Sequence, residues 1–126
     1  MVREEGQARN WQMEQTFGGA LRELRRSKGI SQRNLAEKVG VDFSYISKIE
    51  NDRLPPPAAD TIVRICSAME APPDTLLALS GKIPSELRDT IGSSPAAMHF
   101  IRSAQSMGLT EEEWKELTMQ LKRLRS

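Results

Sequence analysis

The sequence predicts an all-α fold, a five-helix domain followed by a helical extension, and three observations carry that prediction. Between Ser31 and Arg53 the apolar residues Leu35, Val39, Val41, Ile46 and Ile49 run at helical spacing, break at Gly40 and resume in a new phase after Asp42, which places two short helices at a corner. Helix start and stop signals recur along the chain, with Ser31, Asp42 and Thr110 as N-caps and Gly29, Gly81 and Gly108 as stops. Near the C-terminus Trp114, Leu117, Leu121 and Leu124 are spaced three, four and three, the stripe of an amphipathic final helix.

Residues 1–15 lack a clear period and read as an N-terminal arm, with Arg3 and Arg9 as candidates to reach a minor groove and Trp11 to cover the domain or a second subunit. Thr16 to Lys28 is the first helix, with Phe17, Leu21 and Leu24 on one face. In the corner, Gly40 suits a positive φ that other residues adopt at a cost. Ala36 lets the two helices approach closely, and Asp42 is expected to accept hydrogen bonds from the amides that open the second. The proline-rich Leu54 to Pro57 loop ends that helix. Ala58 to Met69 is the fourth, with Ile62, Ile65, Cys66 and Met69 inward, and Thr75 to Leu79 the fifth, which closes a domain over residues 16–81. Beyond it, 82–126 reads as three further helices: Pro84 to Ile91, one opening at Ser94 or Pro95 with Ala97, Met98, Ile101 and Ala104 as its stripe, and Glu111 to about Arg125 behind a Thr110–Glu113 capping box.

The segment from about Phe17 to Leu79, through LRELRRSKGISQRNLAEKVGV at 21–41 and YISKIEN at 45–51, resembles the lambda-repressor-like (Cro/cI-type, xenobiotic-response-element) helix-turn-helix regulators. The resemblance implies a five-helix DNA-binding domain whose second motif helix enters the major groove. Carried over position by position, it implies base contacts from Phe43, Ser44, Ser47 and Lys48 and a clamp on the phosphate backbone from Gln32; Arg33, Asn51 and Arg53 are further candidates for phosphate contact, and Tyr45 is open to two readings, a ring that packs or a hydroxyl that reaches a phosphate. The resemblance also implies an ion pair between Arg25 and Glu50 that ties the first helix to the third. Asp52 departs from the family, standing where glycine is usual; aspartate tolerates a left-handed backbone better than most residues, so the turn is expected to survive.

A formal net charge of +1 would argue against a nucleic-acid partner if charge were evenly spread. It is not: residues 22 to 53 hold eight bases against five acids, and a local excess is what phosphates meet. The one cysteine, Cys66, excludes an internal disulfide and reads as a buried small hydrophobe. The one histidine, His99, has no second ligand or triad partner at usable spacing, and Gly18-Gly19 lacks the lysine and hydroxyl of a phosphate loop. Neither catalysis, a metal nor a cofactor is therefore expected. With no long apolar run and a polar, charged N-terminus, the chain is expected to be cytoplasmic and to have no membrane partner.

The resulting expectation is a sequence-specific transcriptional regulator, a homodimeric repressor on a near-palindromic DNA operator. Residues 82–126 would dimerise it through Met98, Ile101, Trp114, Leu117, Leu121 and Leu124. Two rivals are an antitoxin-type regulator that also binds a toxin, and a protein-bridging coactivator. The resemblance adds a third kind of protein partner, a metallopeptidase that cuts the C-terminal segment.

Overall fold

Eight helices and no strand occur in residues 15–126, the part of the chain that the computed structural model describes. In chain order they are α1 (Phe17–Ser27), α2 (Gln32–Val39), α3 (Phe43–Glu50), α4 (Ala59–Ala68), α5 (Asp74–Ser80), α6 (Ser85–Gly92), α7 (Pro95–Met107) and α8 (Glu111–Arg123). The arm residues Arg3, Arg9 and Trp11 lie outside the described residues. Two compact units divide the described residues, the first ending at Ser85 and the second running from Glu86 to Ser126.

In the first unit α1 to α5 enclose one core. Leu21, Leu35, Ile46, Ile49, Ile62, Ile65, Cys66 and Met69 are all but inaccessible to solvent, and burying each large aliphatic side chain contributes about 1.5–3 kcal/mol before chain entropy is counted. The helix ends are set locally. The Thr16 hydroxyl accepts from the Gly19 amide, the Ser31 hydroxyl accepts from the Asn34 amide at 3.0 Å, and Gly40 closes α2 at φ 85°. Cys66 sits in the core, where burial and the nearby charge of Asp74 push its thiol up to about 11.

One expected cap is absent. Asp42 is the N-cap of α3, but its side chain accepts no hydrogen bond from the first turn. The Tyr45 amide, which a cap side chain would ordinarily take, already donates to the Asp42 backbone carbonyl at 3.1 Å.

Two close approaches lock α1 against the far end of α3. A Cβ on Gly18 would fall against the Ile49 carbonyl oxygen and within 2.7 Å of that of Glu50, so only glycine lets the backbones meet. Asp52, in the left-handed region at φ 58°, turns its carboxylate back onto α1: it accepts from the Gly18 amide at 3.1 Å and from the Thr16 hydroxyl at 2.7 Å. The aspartate found in place of glycine thus holds the turn and adds a cap to another helix.

The unit closes at its end through two staples. Lys82 Nζ donates to the carbonyl oxygens of Pro56 and Pro57 at 3.0 and 3.1 Å, while the Ser85 amide and hydroxyl donate to Asp60 at 3.0 and 2.8 Å.

The second unit comprises most of α6 with α7 and α8. Ser94 caps α7, Gly108 ends it at φ 61°, and the capping box at α8 is formed in both directions, by Glu113 N to Thr110 Oγ1 at 3.1 Å and Thr110 N to Glu113 Oε1 at 2.9 Å. Phe100, Ser103, Ala104 and Met107 of α7 line a cavity with Leu109 and with Glu113, Glu116 and Leu117 of α8. Ala104 of the expected stripe is among these lining residues; Phe100, 50% exposed, lines the cavity too, whereas Met98 and Ile101 do not. Ala104 is the only buried residue of this unit. No helix of the described residues is long and apolar enough to cross a membrane.

Candidate nucleic-acid interface

The helix that would meet DNA, α3, has two faces with opposite duties. Ile46 and Ile49 are 0% and 1% exposed and anchor it in the core. Phe43, Ser44 and Lys48 are exposed on the other side, with Ser47 half-buried beside them. Positions 43, 44, 47 and 48 share one face because a helix turns once per 3.6 residues, so the four expected base readers do stand together.

Below this face lies a buried charge cluster that fixes how α3 is held. Arg25 and Glu50 are 8% and 2% exposed and pair in fork geometry, Nε to Oε2 at 2.6 Å and Nη2 to Oε1 at 2.9 Å. Arg25 Nη1 donates to the Ile30 carbonyl at 2.8 Å, so the guanidinium also pins the chain between α1 and α2. Glu50 Oε1 accepts from Gln32 Nε2 at 2.8 Å and lies 3.5 Å from Arg22 Nε. Burial by itself pushes the Glu50 carboxyl upward, but the hydrogen bonds from Arg25 and Gln32 and the charges of Arg25 and Arg22 outweigh it and hold the group below its ordinary range. The hydrogen bond from Arg25 to Glu50 likewise raises the arginine further, against its own burial.

The expected base and phosphate contacts differ in whether the fold already uses them. Lys48 and Arg53, with Ser44, are exposed and make no side-chain hydrogen bond or ion pair among the described residues; they are unencumbered donors. Gln32 and Asn51 are committed within the fold: Gln32 to Glu50, and Asn51 by donating to the Ser47 carbonyl at 3.0 Å and accepting from Arg22. Tyr45 is half-buried and packs on the core. Arg33 lies with its guanidinium carbon 4.8 Å from the Phe43 ring centroid. Arg22, Arg25, Arg26, Ser31, Gln32, Arg33 and Phe43 line one cleft where α2 and α3 begin, so the positive charge gathers at the edge of the exposed α3 face.

Arg22 is the participant that sequence reasoning passed over. Counted only as one base among eight, it bridges Glu50 and Asn51 and so links the buried pair to the end of α3. Its position three residues before Arg25, on the same helix face, was the available signal. Among the described residues no group of three or more histidine, cysteine, aspartate or glutamate side chains could hold a metal ion.

Two helices crossing at a glycine corner, the second exposing hydroxyls and a lysine beside a basic cleft, define a helix-turn-helix DNA-binding domain of the kind found in transcriptional regulators. Residues 16–79 match the helix-turn-helix domain family, and the chain belongs to it. Among its relatives is the uncharacterized HTH-type transcriptional regulator RghRB of Bacillus subtilis, 29% identical over 113 residues, covering 82% of this chain and 81% of that protein. The HTH-type transcriptional regulator SinR of Bacillus licheniformis is 27% identical over 79% of this chain and 86% of its own length. A crystal structure of SinR, described as the master regulator for biofilm formation, in complex with DNA is 32% identical over 49% of this chain and 98% of that one, with a TM-score of 0.47. The family and these relatives are regulators of transcription rather than enzymes.

Proposed function

We propose that this DNA-binding regulator is a cytoplasmic repressor that acts as a homodimer on a near-palindromic operator. Phe43, Ser44, Ser47 and Lys48 read base edges; Arg53 and Tyr45 meet phosphates, and Gln32 and Asn51 offer whichever polar atoms their internal bonds leave free. The buried Arg25–Glu50 pair sets the angle at which α3 is presented.

The observation that carries the dimer is the apolar surface of the second unit. Trp114, Ile101 and Met98 are 38%, 37% and 42% exposed, and Leu121 and Leu124 reach 63% and 79%, a concentration of large apolar side chains that a free helical pair does not hold in water without association. The charge pattern of α8 suits a second copy as well. Glu111, Glu112 and Glu113 open the helix and Lys122 and Arg123 close it, so two copies related by a two-fold axis across α8 would run antiparallel and oppose acid with base. Dimerisation would set two recognition helices about one DNA turn, ~34–36 Å, apart and turn a weak half-site contact into tight binding.

The test is sedimentation and DNA titration of the full chain beside a Leu121→Glu, Leu124→Glu variant. The variant should sediment as a monomer, keep its helical content and bind weakly. A variant that stays dimeric and binds as tightly as the parent would refute the assignment. A parent chain that is monomeric alone would instead assign the face to a different protein, such as a toxin or a peptidase.

A further inference from the structure

Phe43 is an anomaly as a core residue and as a surface residue. It heads α3, is 37% exposed, and is absent from the cluster of side chains that pack the core. What covers it is Arg33, from the first turn of α2, whose guanidinium carbon lies 4.8 Å from the ring centroid. No carboxylate or carbonyl among the described residues takes the Arg33 N–H groups.

We propose that Arg33 and Phe43 form one specificity element that reads a guanine together with the methyl group of a neighbouring thymine. Stacking occupies a face of the guanidinium and leaves its edge, with two parallel N–H donors, open. That edge matches the O6 and N7 acceptors of guanine in the major groove, and the exposed part of the ring supplies the apolar contact that a thymine methyl takes. Location decides between base and phosphate. An arginine in the first turn of α2 would ordinarily reach outward to the backbone; here the ring draws it to the leading end of the helix that enters the groove. Stacking also fixes a long side chain before DNA arrives, so less rotamer freedom is lost on binding.

The inference rests on α3 entering the major groove, and its test separates the two claims. The full chain is used to select duplexes from a randomised DNA pool, and the selected duplex is then titrated with the parent and with Arg33→Ala, Arg33→Lys, Phe43→Ala and Arg33→Ala/Phe43→Ala. Both residues are on the surface, and unchanged circular dichroism confirms that each variant is folded. Arg33→Ala should lose discrimination at one guanine by on the order of ten-fold, and lysine should not restore it, because it lacks the fork. Replacing the adjacent thymine by uracil should weaken the parent and leave Phe43→Ala unaffected. The double variant should lose less than the product of the single losses. The idea is overturned if Arg33→Ala weakens every duplex alike and lowers the salt slope by about one, the signature of a phosphate contact. It is also overturned if Phe43→Ala still senses the methyl group. Selection of no sequence from the pool would overturn the DNA-reading assignment of α3 itself, and this inference with it.

Discussion

Replacing Glu50 by alanine removes the acceptor for two Arg25 donors and for Gln32, and strands the Arg25 guanidinium at 8% exposure against the core. Breaking a buried pair from one side costs ~3–5 kcal/mol, because the remaining charge keeps its desolvation penalty and loses its compensation. A domain of this size has ~5–15 kcal/mol in total, so the variant would lose a large share of its stability. With a urea m-value of ~1–3 kcal/mol/M, the midpoint should fall by on the order of 2 M, followed by circular dichroism at neutral pH. The companion double variant, Arg25→Met with Glu50→Leu, should recover much of the loss, since it leaves no charge buried. The same pair gives an acid limb. The folded carboxyl lies below its ordinary 4.5, so its contribution is fully present above that pH and is lost as pH falls through the lower, folded value. Glu50→Gln should therefore flatten the acid side of the stability profile below about pH 4.5 and leave the alkaline side alone. Single losses under ~1 kcal/mol that simply add would refute the whole account, since that is the behaviour of exposed charges.

Gly18→Ala should destabilise by about 1–3 kcal/mol in denaturant unfolding, because its methyl group meets the carbonyls that end α3. Asp52→Gly keeps the left-handed turn but removes the carboxylate from Gly18 and Thr16; a loss of about 1 kcal/mol is expected, and Asp52→Ala should lose more through strain at positive φ. Lys48→Ala and Ser44→Ala should shift preference at particular base pairs by ~1–3 kcal/mol, whereas Arg53→Ala should weaken all duplexes alike and reduce the salt slope by about one, both read by titration over a salt series. Cys66, buried with its thiol raised to about 11, should resist alkylation at neutral pH in the folded chain and react at an ordinary rate in urea.

Features that depend on neighbours in sequence were open to reading, and features that depend on distant chain were not. The corner at Gly40, the Ser31 cap and the Thr110–Glu113 box each involve residues within a few positions, and all are present. The core face of α3 follows from helical period alone. Asp42 failed as a cap because a tight backbone turn had already taken the amide, which spacing does not reveal. Asp52 could be read as a tolerable stand-in for glycine, but its bonds to Thr16 and Gly18 cross more than thirty residues of chain. In the second unit Ala104 of the expected stripe is buried and Ala97 is half-buried, but the cavity beside them is lined by Phe100 and Met107 as well, and periodicity cannot choose between two overlapping apolar stripes on one helix.

Asp52 joins the exit of α3 to the start of α1, and Arg22 adds a second tie between the same two elements. Neither helix can then open to solvent alone: fraying α3 from its C-terminal end breaks the hydrogen bond that holds the Gly18 amide. The two should exchange their amide hydrogens as one cooperative unit, with the Gly18 amide reporting on the rigidity of α3 although its acceptor, Asp52, lies thirty-four residues on along the chain.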